Sequence, residues 1–474
     1  MPQWAKPEEK SLYYVSTAEA GDEKSAGAEI RDARVIEDAV FGQVGADGKG
    51  PNFRGVGLGG TFVLMTKANV GLGILQIPFV FQAIGIVPGI VLLIGMAILV
   101  AWCGSYIQPF KLNHPEVYGY GDIGQVLFGK WGREIFSIIF VINFIFVSAS
   151  AMVAVSTALN AVSVHAACTA IFMVVAAIAC WMLASIKTLG DITWLGWVGM
   201  VSILASVITL TVAVGVNDRP AEAPQTGPWD KDFKVAASTD AIGGIGAITN
   251  VLYAYAATPC YWGIISEMKD PRMHNRMMCI SIAMCAALYI IIGSVVYWFC
   301  GQYVSSPALG SAGVLMKRVC YGLAIPALLV SCCIYLHLAS KFIFIRILQG
   351  TEHISRPTKR HWITWFGCTI GAGGVAYILG SAIPTFDAIV GFIGSLLTPQ
   401  TTILVFPLVW WHDNWRYRQR GDRSVPMMLL NLFIFIAGLF FVVGGMYAAV
   451  TNLINTAATN GPWTCADNSG SVKE

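Results

Sequence analysis

The first long apolar stretch contains residues that could bind a charged ligand. Lys67, Asn69, Gly71, Gly73 and Pro78 interrupt an otherwise apolar run. Proline removes a backbone donor and clashes with the preceding turn, so a continuous helix is unfavourable here. A broken helix exposes N–H groups on its second half and C=O groups on its first half. The N–H end attracts an anion and the C=O end a cation, so this break suits a zwitterion such as an amino acid.

The sixth apolar stretch contains a second break of the same kind, where glycines are followed by the run from Tyr253 to Pro259. Non-helical backbone at membrane depth survives only where protein buries it or where it lines a cavity. A single Gly or Pro is common in membrane helices. Breaks in corresponding positions of two halves, however, are typical of inverted-repeat transporters and mark their substrate site.

The two breaks together predict a substrate site between them. The predicted substrate-binding residues are Ala68, Asn69, Gly71, Gly73, Tyr253, Tyr255, Ala257 and Thr258. Tyr253 and Tyr255 would form an aromatic wall for a neutral, bulky substrate. Aromatic packing alone also explains both residues.

Lys67 lies about nine residues from Leu58, the start of the first apolar stretch. At the helical rise this is roughly 13 Å, which is long for a lysine that snorkels to the interface. Intramembrane charges are costly and usually functional. Because burial disfavours the charged form of lysine, Lys67 is a group that could load and unload a proton.

Three further ionisable residues are candidates for coupling or gating. His337 lies deep in the eighth apolar stretch and suits a proton relay, although a packing histidine is the alternative. Lys341, one turn later, is expected to snorkel. Glu267 ends the sixth stretch, where it would either pair with a basic residue as an inner gate or cap the loop to Pro271.

The composition indicates an all-α membrane protein. Of 474 residues, 56% are hydrophobic and 12% are charged, whereas soluble proteins carry about 25% charged residues. The net charge of +3 is too small to indicate a nucleic-acid partner. Eleven apolar stretches are long enough to cross a bilayer. They are Leu58–Phe81, Val87–Tyr106, Ile135–Ala158, Ala166–Ala184, Ile192–Val214, Ala241–Ile265, Met277–Trp298, Tyr321–Leu348, Trp362–Leu379, Phe386–Trp410 and Met428–Val450.

The lysines and arginines predict the orientation. With the N-terminus in the cytoplasm, 23 of the 30 fall on the cytoplasmic side and 6 on the outer side, while Lys67 lies within a span. Residues 1–57 are polar, without the apolar core of a signal peptide, and are predicted to form a disordered cytoplasmic tail. Residues 58–451 would form the membrane domain and 452–474 a short outer tail.

The sequence gives no sign of a metal, a cofactor or an enzyme active site. None of the 12 cysteines forms a CxxC pair, and no Cys/His spacing resembles a zinc site. Most cysteines are expected to pack in apolar stretches. Cys300, Cys320 and Cys465 could lie on the outer side, which leaves a disulfide possible there. No nucleophile–base pair emerges from the spans.

These motifs resemble the amino acid/auxin permease family, also called the amino acid transporter transmembrane family, and within it the fungal neutral amino acid permeases. The resemblance covers Val56 to Val450. It is carried by the first-span glycines followed by Leu75 and Pro78, by the segment from Glu267 to Pro271, and by the glycines and prolines of the tenth span, namely Gly391, Gly394, Pro399 and Pro407. The family implies a leucine-transporter-type fold of five plus five inverted helices with an eleventh added.

The resemblance implies a protein of the lipid bilayer that imports neutral amino acids across the plasma membrane. It also implies that a proton is transported together with the amino acid. Sodium-coupled relatives often have asparagine where this chain has Lys67, which argues against sodium and makes Lys67 and His337 the proton-coupling candidates. The family often has Gly-His where this chain has Ala257-Thr258. A transporter of another small solute, or a transport-inactive sensor of the same fold, is the alternative.

Overall fold

The computed structural model describes residues 37–38, 42–43, 55–186, 189–220, 222–349, 351, 353, 358–383, 385–416, 425–457 and 461–471. Within these residues the architecture is helical, apart from one pair of two-residue strands. In the described part of the chain, ten helical stretches are long and apolar enough to cross a membrane. The expectation of an all-α membrane protein is thereby confirmed.

Two short strands precede the helices along the chain. The antiparallel strands are β1 (Glu37–Asp38) and β2 (Gly42–Gln43). The helices are α1 (Leu58–Val70), α2 (Ile77–Ile84), α3 (Ile86–Gly104), α4 (Ile107–Asn113), α5 (Tyr120–Ser163), α6 (Thr169–Ala184), α7 (Leu189–Val216), α8 (Ala241–Ala254), α9 (Thr258–Glu267), α10 (His274–Cys300), α11 (Val314–Leu348), α12 (Lys359–Ala382), α13 (Phe386–Phe392), α14 (Val405–Trp411) and α15 (Val425–Ala457). Short 3₁₀ turns occupy Gly73–Leu75, Pro271–Met273, Gly301–Tyr303 and Ala308–Ser311, and π-helical turns occupy Ile393–Leu397, Gln400–Leu404 and His412–Arg416.

Each predicted span coincides with helix, but their lengths differ. The predicted span Ala166–Ala184 forms α6, whose 16 residues are fewer than the about 20 that a bilayer needs. Helix α5 is longer than its predicted span because it begins at Tyr120 and includes a kink at Gly129, where φ is 71°. Glycine tolerates this left-handed conformation without a steric penalty.

Helix α11 lies at the centre of the packing and contacts both α5 and α7. Small residues of α5 such as Ala149, Ala151 and Ala154 are buried, and small residues allow close helix approach. The outer helices expose large apolar side chains, for example Phe433 and Val443 on α15. Such exposure is costly in water, and it fits a lipid environment.

Two segments outside the helices, one before α1 and one after α15, are attached to the helical core. Val56, within the predicted tail, is buried and pairs with the end of α9, because its N–H donates to Glu267 O at 3.2 Å and its carbonyl accepts from Lys269 N at 3.0 Å. Most of the rest of the predicted tail lies outside the described residues. At the other end, a disulfide joins Cys168 to Cys465. Cys300 and Cys320 are free and buried, so of the three cysteines considered from the sequence only Cys465 is paired.

Candidate functional site

The two predicted breaks are present, and they touch. Helix α1 gives way at Gly71 to a turn, and α2 resumes with Pro78 in its first turn. Helix α8 ends at Ala254, and α9 resumes at Thr258. A methyl group added at Gly73 would lie 2.5 Å from Cα of Ala254. The two backbones therefore meet at a distance that only glycine permits at this position.

Two tyrosine hydroxyls lie at the carbonyl ends of the first half-helices. Tyr289 Oη is 2.9 Å from Asn69 O and 2.9 Å from Ala254 O, so it bridges the ends of α1 and α8. Tyr335 donates to Ala68 O. These carbonyls are left without helical partners by the breaks. The hydroxyls satisfy groups that could also accept from an ammonium.

Unsatisfied donors lie at the other side of the breaks. Among the described residues, the N–H groups of Leu72 and Gly73 donate to no backbone carbonyl. Thr258 Oγ1, at the start of α9, is likewise buried without a hydrogen-bond partner among the described residues. Buried donors normally find a partner. The N–H groups of Leu72 and Gly73, which are adjacent in the chain, are therefore available to an acceptor such as a carboxylate.

Lys67 joins α1 to α11. Its side chain is fully buried, and Nζ donates to Ser331 Oγ at 2.6 Å. Ser331 in turn donates to Ala327 O at 3.0 Å. Glycines make room for the lysine, since a methyl group at Gly199 would lie 2.7 Å from Lys67 Cε and one at Gly71 would overlap Nζ. Lys67 is therefore buried among the helices, and its depth in a membrane stays a prediction.

Three of the polar side chains predicted to line the site, those of Asn69, Tyr253 and Tyr255, are already hydrogen-bonded to neighbouring helices. Asn69 Nδ2 donates to Tyr261 Oη at 2.8 Å, while its Oδ1 is buried without a partner among the described residues. Tyr253 Oη lies 2.9 Å from Ser150 Oγ on α5. Tyr255 donates to Leu93 O at 3.4 Å, and its ring centroid is 5.4 Å from that of Tyr289. Ala257 is fully buried beside Thr258.

Comparison with known proteins gives the family. Residues 55–451 match the family described as transmembrane amino acid transporter protein. The chain belongs to this family. It is 33% identical over 428 residues to a "Transmembrane transporter" of Gibberella moniliformis, with 90% of each chain covered. It is 28% identical to the "N amino acid transport system protein" of Neurospora crassa, covering 86% of this chain and 87% of that one. It is 22% identical to "Amino acid transporter AVT1J" of Arabidopsis thaliana, covering 82% and 89%.

In this member of the transmembrane amino acid transporter family, His337, the second proton-coupling candidate, contacts other helices than Lys67 does. Its Nδ1 is 3.4 Å from Ala184 O, and its ring centroid is 5.4 Å from that of Trp365. Those neighbours belong to α6 and α12. The residues of α11 that reach the break are Ser331 and Tyr335, which occupy a different face of the helix.

Glu267 and Lys341 form a buried ion pair. Lys341 Nζ is 2.5 Å from Glu267 Oε1, and both side chains are at most 5% exposed. Tyr118 Oη donates to the same carboxylate oxygen at 3.3 Å. The expectation that Lys341 snorkels is wrong, because its ammonium finds a carboxylate on α9 instead of the interface. Of the two alternatives for Glu267, the structure supports pairing with a basic residue.

The sequence did not predict several residues that contact α1 at its break, because their partners lie far along the chain. Ser331, Tyr289 and Tyr335 each touch α1 from α10 or α11. The only sequence signal for these residues was a polar side chain within a long apolar span. This signal could mark the tyrosines as candidates, but it could not show which backbone carbonyl each hydroxyl would contact.

Proposed function

We propose that this protein is a secondary active transporter that imports neutral amino acids across the plasma membrane by proton symport. The observation that carries the proposal is the contact of the two helix breaks through Gly73 and Ala254. It brings the carbonyl ends and N–H ends of two half-helices to one buried place. Such paired breaks form the substrate site in inverted-repeat transporters.

The substrate's carboxylate is proposed to bind the N–H groups of Leu72 and Gly73 and the hydroxyl of Thr258. Its ammonium then faces the carbonyls of Asn69 and Ala254, which Tyr289 occupies in this structure. The remaining predicted lining consists of Ala68, Gly71, Tyr253, Tyr255 and Ala257. No acidic side chain lies in 68–73 or 253–259. A neutral apolar or aromatic side chain is therefore favoured over that of lysine or arginine.

Lys67 is proposed to carry the coupled proton. Its ammonium connects α1 and α11 through Ser331 and would hold these helices together without a bound metal cation. No carboxylate forms an ion pair with Lys67 among the described residues, and a hydroxyl partner compensates a buried charge less well than a carboxylate does. Release of the proton would therefore loosen this contact. His337, whose neighbours lie on α6 and α12, has no part in this proposal.

The proposed topology has eleven spans in a five-plus-five inverted repeat with one helix added, an inner N-terminus and an outer C-terminus. The excess of lysine and arginine on one side supports it. The Cys168–Cys465 disulfide supports an outer location for 461–471, since disulfides persist in oxidising compartments. The Glu267–Lys341 pair is then proposed to close the inner side.

Uptake by proteoliposomes of the purified protein tests the function. A panel of labelled leucine, phenylalanine, alanine, lysine and glutamate would be offered under an inward proton gradient. We expect uptake of the neutral members, with competition by lysine and glutamate at least tenfold weaker. Equal competition by charged amino acids would contradict the substrate class, and binding without uptake of any member would indicate a sensor.

A further inference from the structure

A cluster of two histidines and one aspartate lies outside the transport site. His114 follows α4, whereas His412 and Asp413 begin the π-helical turn after α14. Their ligand-type atoms all lie within 4.8 Å of one another. His114 Nε2 is 3.0 Å from Asp413 Oδ1, and His412 Nδ1 is 3.1 Å from the same oxygen. The sequence predicted no metal site, because almost 300 residues separate the two halves.

The spacing of these atoms fits a small divalent ion. Zinc binds histidine nitrogen and carboxylate oxygen at about 2.0–2.2 Å, so two ligands of a tetrahedral ion lie about 3.3 Å apart. The two measured separations differ from that value by only a few tenths of an ångström. Two nitrogens and one oxygen are also a donor set that zinc accepts, with a fourth position left open.

Neighbouring groups orient the cluster as they do in metal sites. The second ring nitrogen of His114, Nδ1, is 3.5 Å from Glu116 Oε1. Asn113 Nδ2 donates to the other oxygen of Asp413, Oδ2, at 3.2 Å. A metal-bound histidine commonly directs its free nitrogen to a carboxylate, and the ligating carboxylate is itself hydrogen-bonded. The His114 and His412 side chains are each 9% exposed, which limits competition from bulk water.

We propose that His114, His412 and Asp413 form a binding site for a zinc-class divalent cation. The ion ties the end of α4 to the turn after α14. The loop that begins at His114 also carries Tyr118, which donates to Glu267 of the buried ion pair. An ion at this site therefore reduces the mobility of the loop that contacts the Glu267–Lys341 pair. By doing so, the ion slows transport. The effect on transport rests on the proposed function, whereas metal binding does not.

Metal binding is measured directly on the full-length protein, purified in detergent with a tag that contains no histidine. Isothermal titration with Zn²⁺ gives stoichiometry and affinity, and Co²⁺ replaces zinc to report geometry through its visible absorption. We expect one ion per chain and the strong absorption of four-coordinate cobalt. The His114→Ala/His412→Ala double variant should lose this binding at least a hundredfold, and Glu116→Gln should weaken it about tenfold.

The matched control is His165→Ala, since His165 contacts Asn160 at a distant place in the fold. It should bind zinc like the unmodified protein. Elution as a single species in size-exclusion chromatography verifies that each variant is folded, and Asp413→Asn replaces the double variant if that protein aggregates. Equal zinc affinity of the unmodified protein and the ligand variants, or no binding by either, would overturn the proposal. Zinc binding without any effect on uptake would remove only the regulatory step.

Discussion

Lys67 donates a 2.6 Å hydrogen bond to Ser331 and so connects α1, next to its break, with the central helix α11. The bond is fully buried, and Gly71 and Gly199 leave the space that the lysine side chain fills. If α1 moves relative to α11, this hydrogen bond must break; if the bond persists, the two helices must move together. If Lys67 carries the coupled proton as proposed, gain or loss of that proton changes the contact between the two helices.

Ser331→Ala should destabilise the protein, because it leaves a buried ammonium without its hydroxyl partner. We expect a loss of about 2–4 kcal/mol in the free energy of unfolding, measured as a lower thermal unfolding temperature in detergent. The Lys67→Met/Ser331→Ala double variant should recover most of this loss, since it removes both polar groups. A single variant as stable as the unmodified protein would show that the bond contributes little.

Gly73→Ala should impair uptake, because its methyl group would overlap the backbone of Ala254. The two breaks would separate, at a cost of about 1–3 kcal/mol. We expect an at least tenfold lower uptake rate in proteoliposomes. Gly246→Ala on α8 is the control, since a methyl group there has no neighbour within 4 Å. Equal uptake by the two variants would place the substrate elsewhere.

Tyr289→Phe removes the hydroxyl that bridges Asn69 O and Ala254 O. The free protein should lose about 1–3 kcal/mol of stability, because buried carbonyls lose their donor. A substrate ammonium can supply the missing donor, so stabilisation by leucine in a thermal-shift titration should increase. Tyr297→Phe, farther along α10, should leave this titration unchanged. Loss of leucine binding by Tyr289→Phe would mean that the hydroxyl itself holds the substrate.

Glu267→Gln should open the inner side of the transporter, because it leaves the Lys341 ammonium buried without its carboxylate. Breaking a buried pair costs about 3–5 kcal/mol. A cysteine introduced at Ser266 should then react faster with a thiol reagent applied from the inner side. Adding Lys341→Met should restore slow labelling. The exposed Lys234–Asp232 pair provides a control, since Asp232→Asn should change neither stability nor labelling.

The sequence predicted the features that depend on local backbone chemistry. Glycine lowers helix stability and proline removes a backbone donor, so the clustered glycines and prolines near Gly71 and Pro259 indicated the two breaks without a structure. The burial of Lys67 followed from its distance to the end of its span. Each of these inferences needed only residues within one helix.

Features that depend on helix rotation and on distant partners could not be predicted. His337 and Ser331 share α11, but only the packing of that helix decides that Ser331 faces Lys67 while His337 faces Trp365. Lys341 was expected at the interface because its partner, Glu267, lies 74 positions away. The Cys168–Cys465 bond spans 297 positions, and spacing alone does not reveal such a pairing.

Uphill uptake of labelled leucine into proteoliposomes, with proton and sodium gradients imposed separately, tests proton coupling through Lys67 most directly. The unmodified protein should accumulate leucine on an inward proton gradient alone and gain nothing from sodium. Lys67→Ala should still equilibrate leucine but no longer concentrate it. Sodium-driven accumulation by the unmodified protein, or proton-driven accumulation by Lys67→Ala, would contradict the role proposed for Lys67.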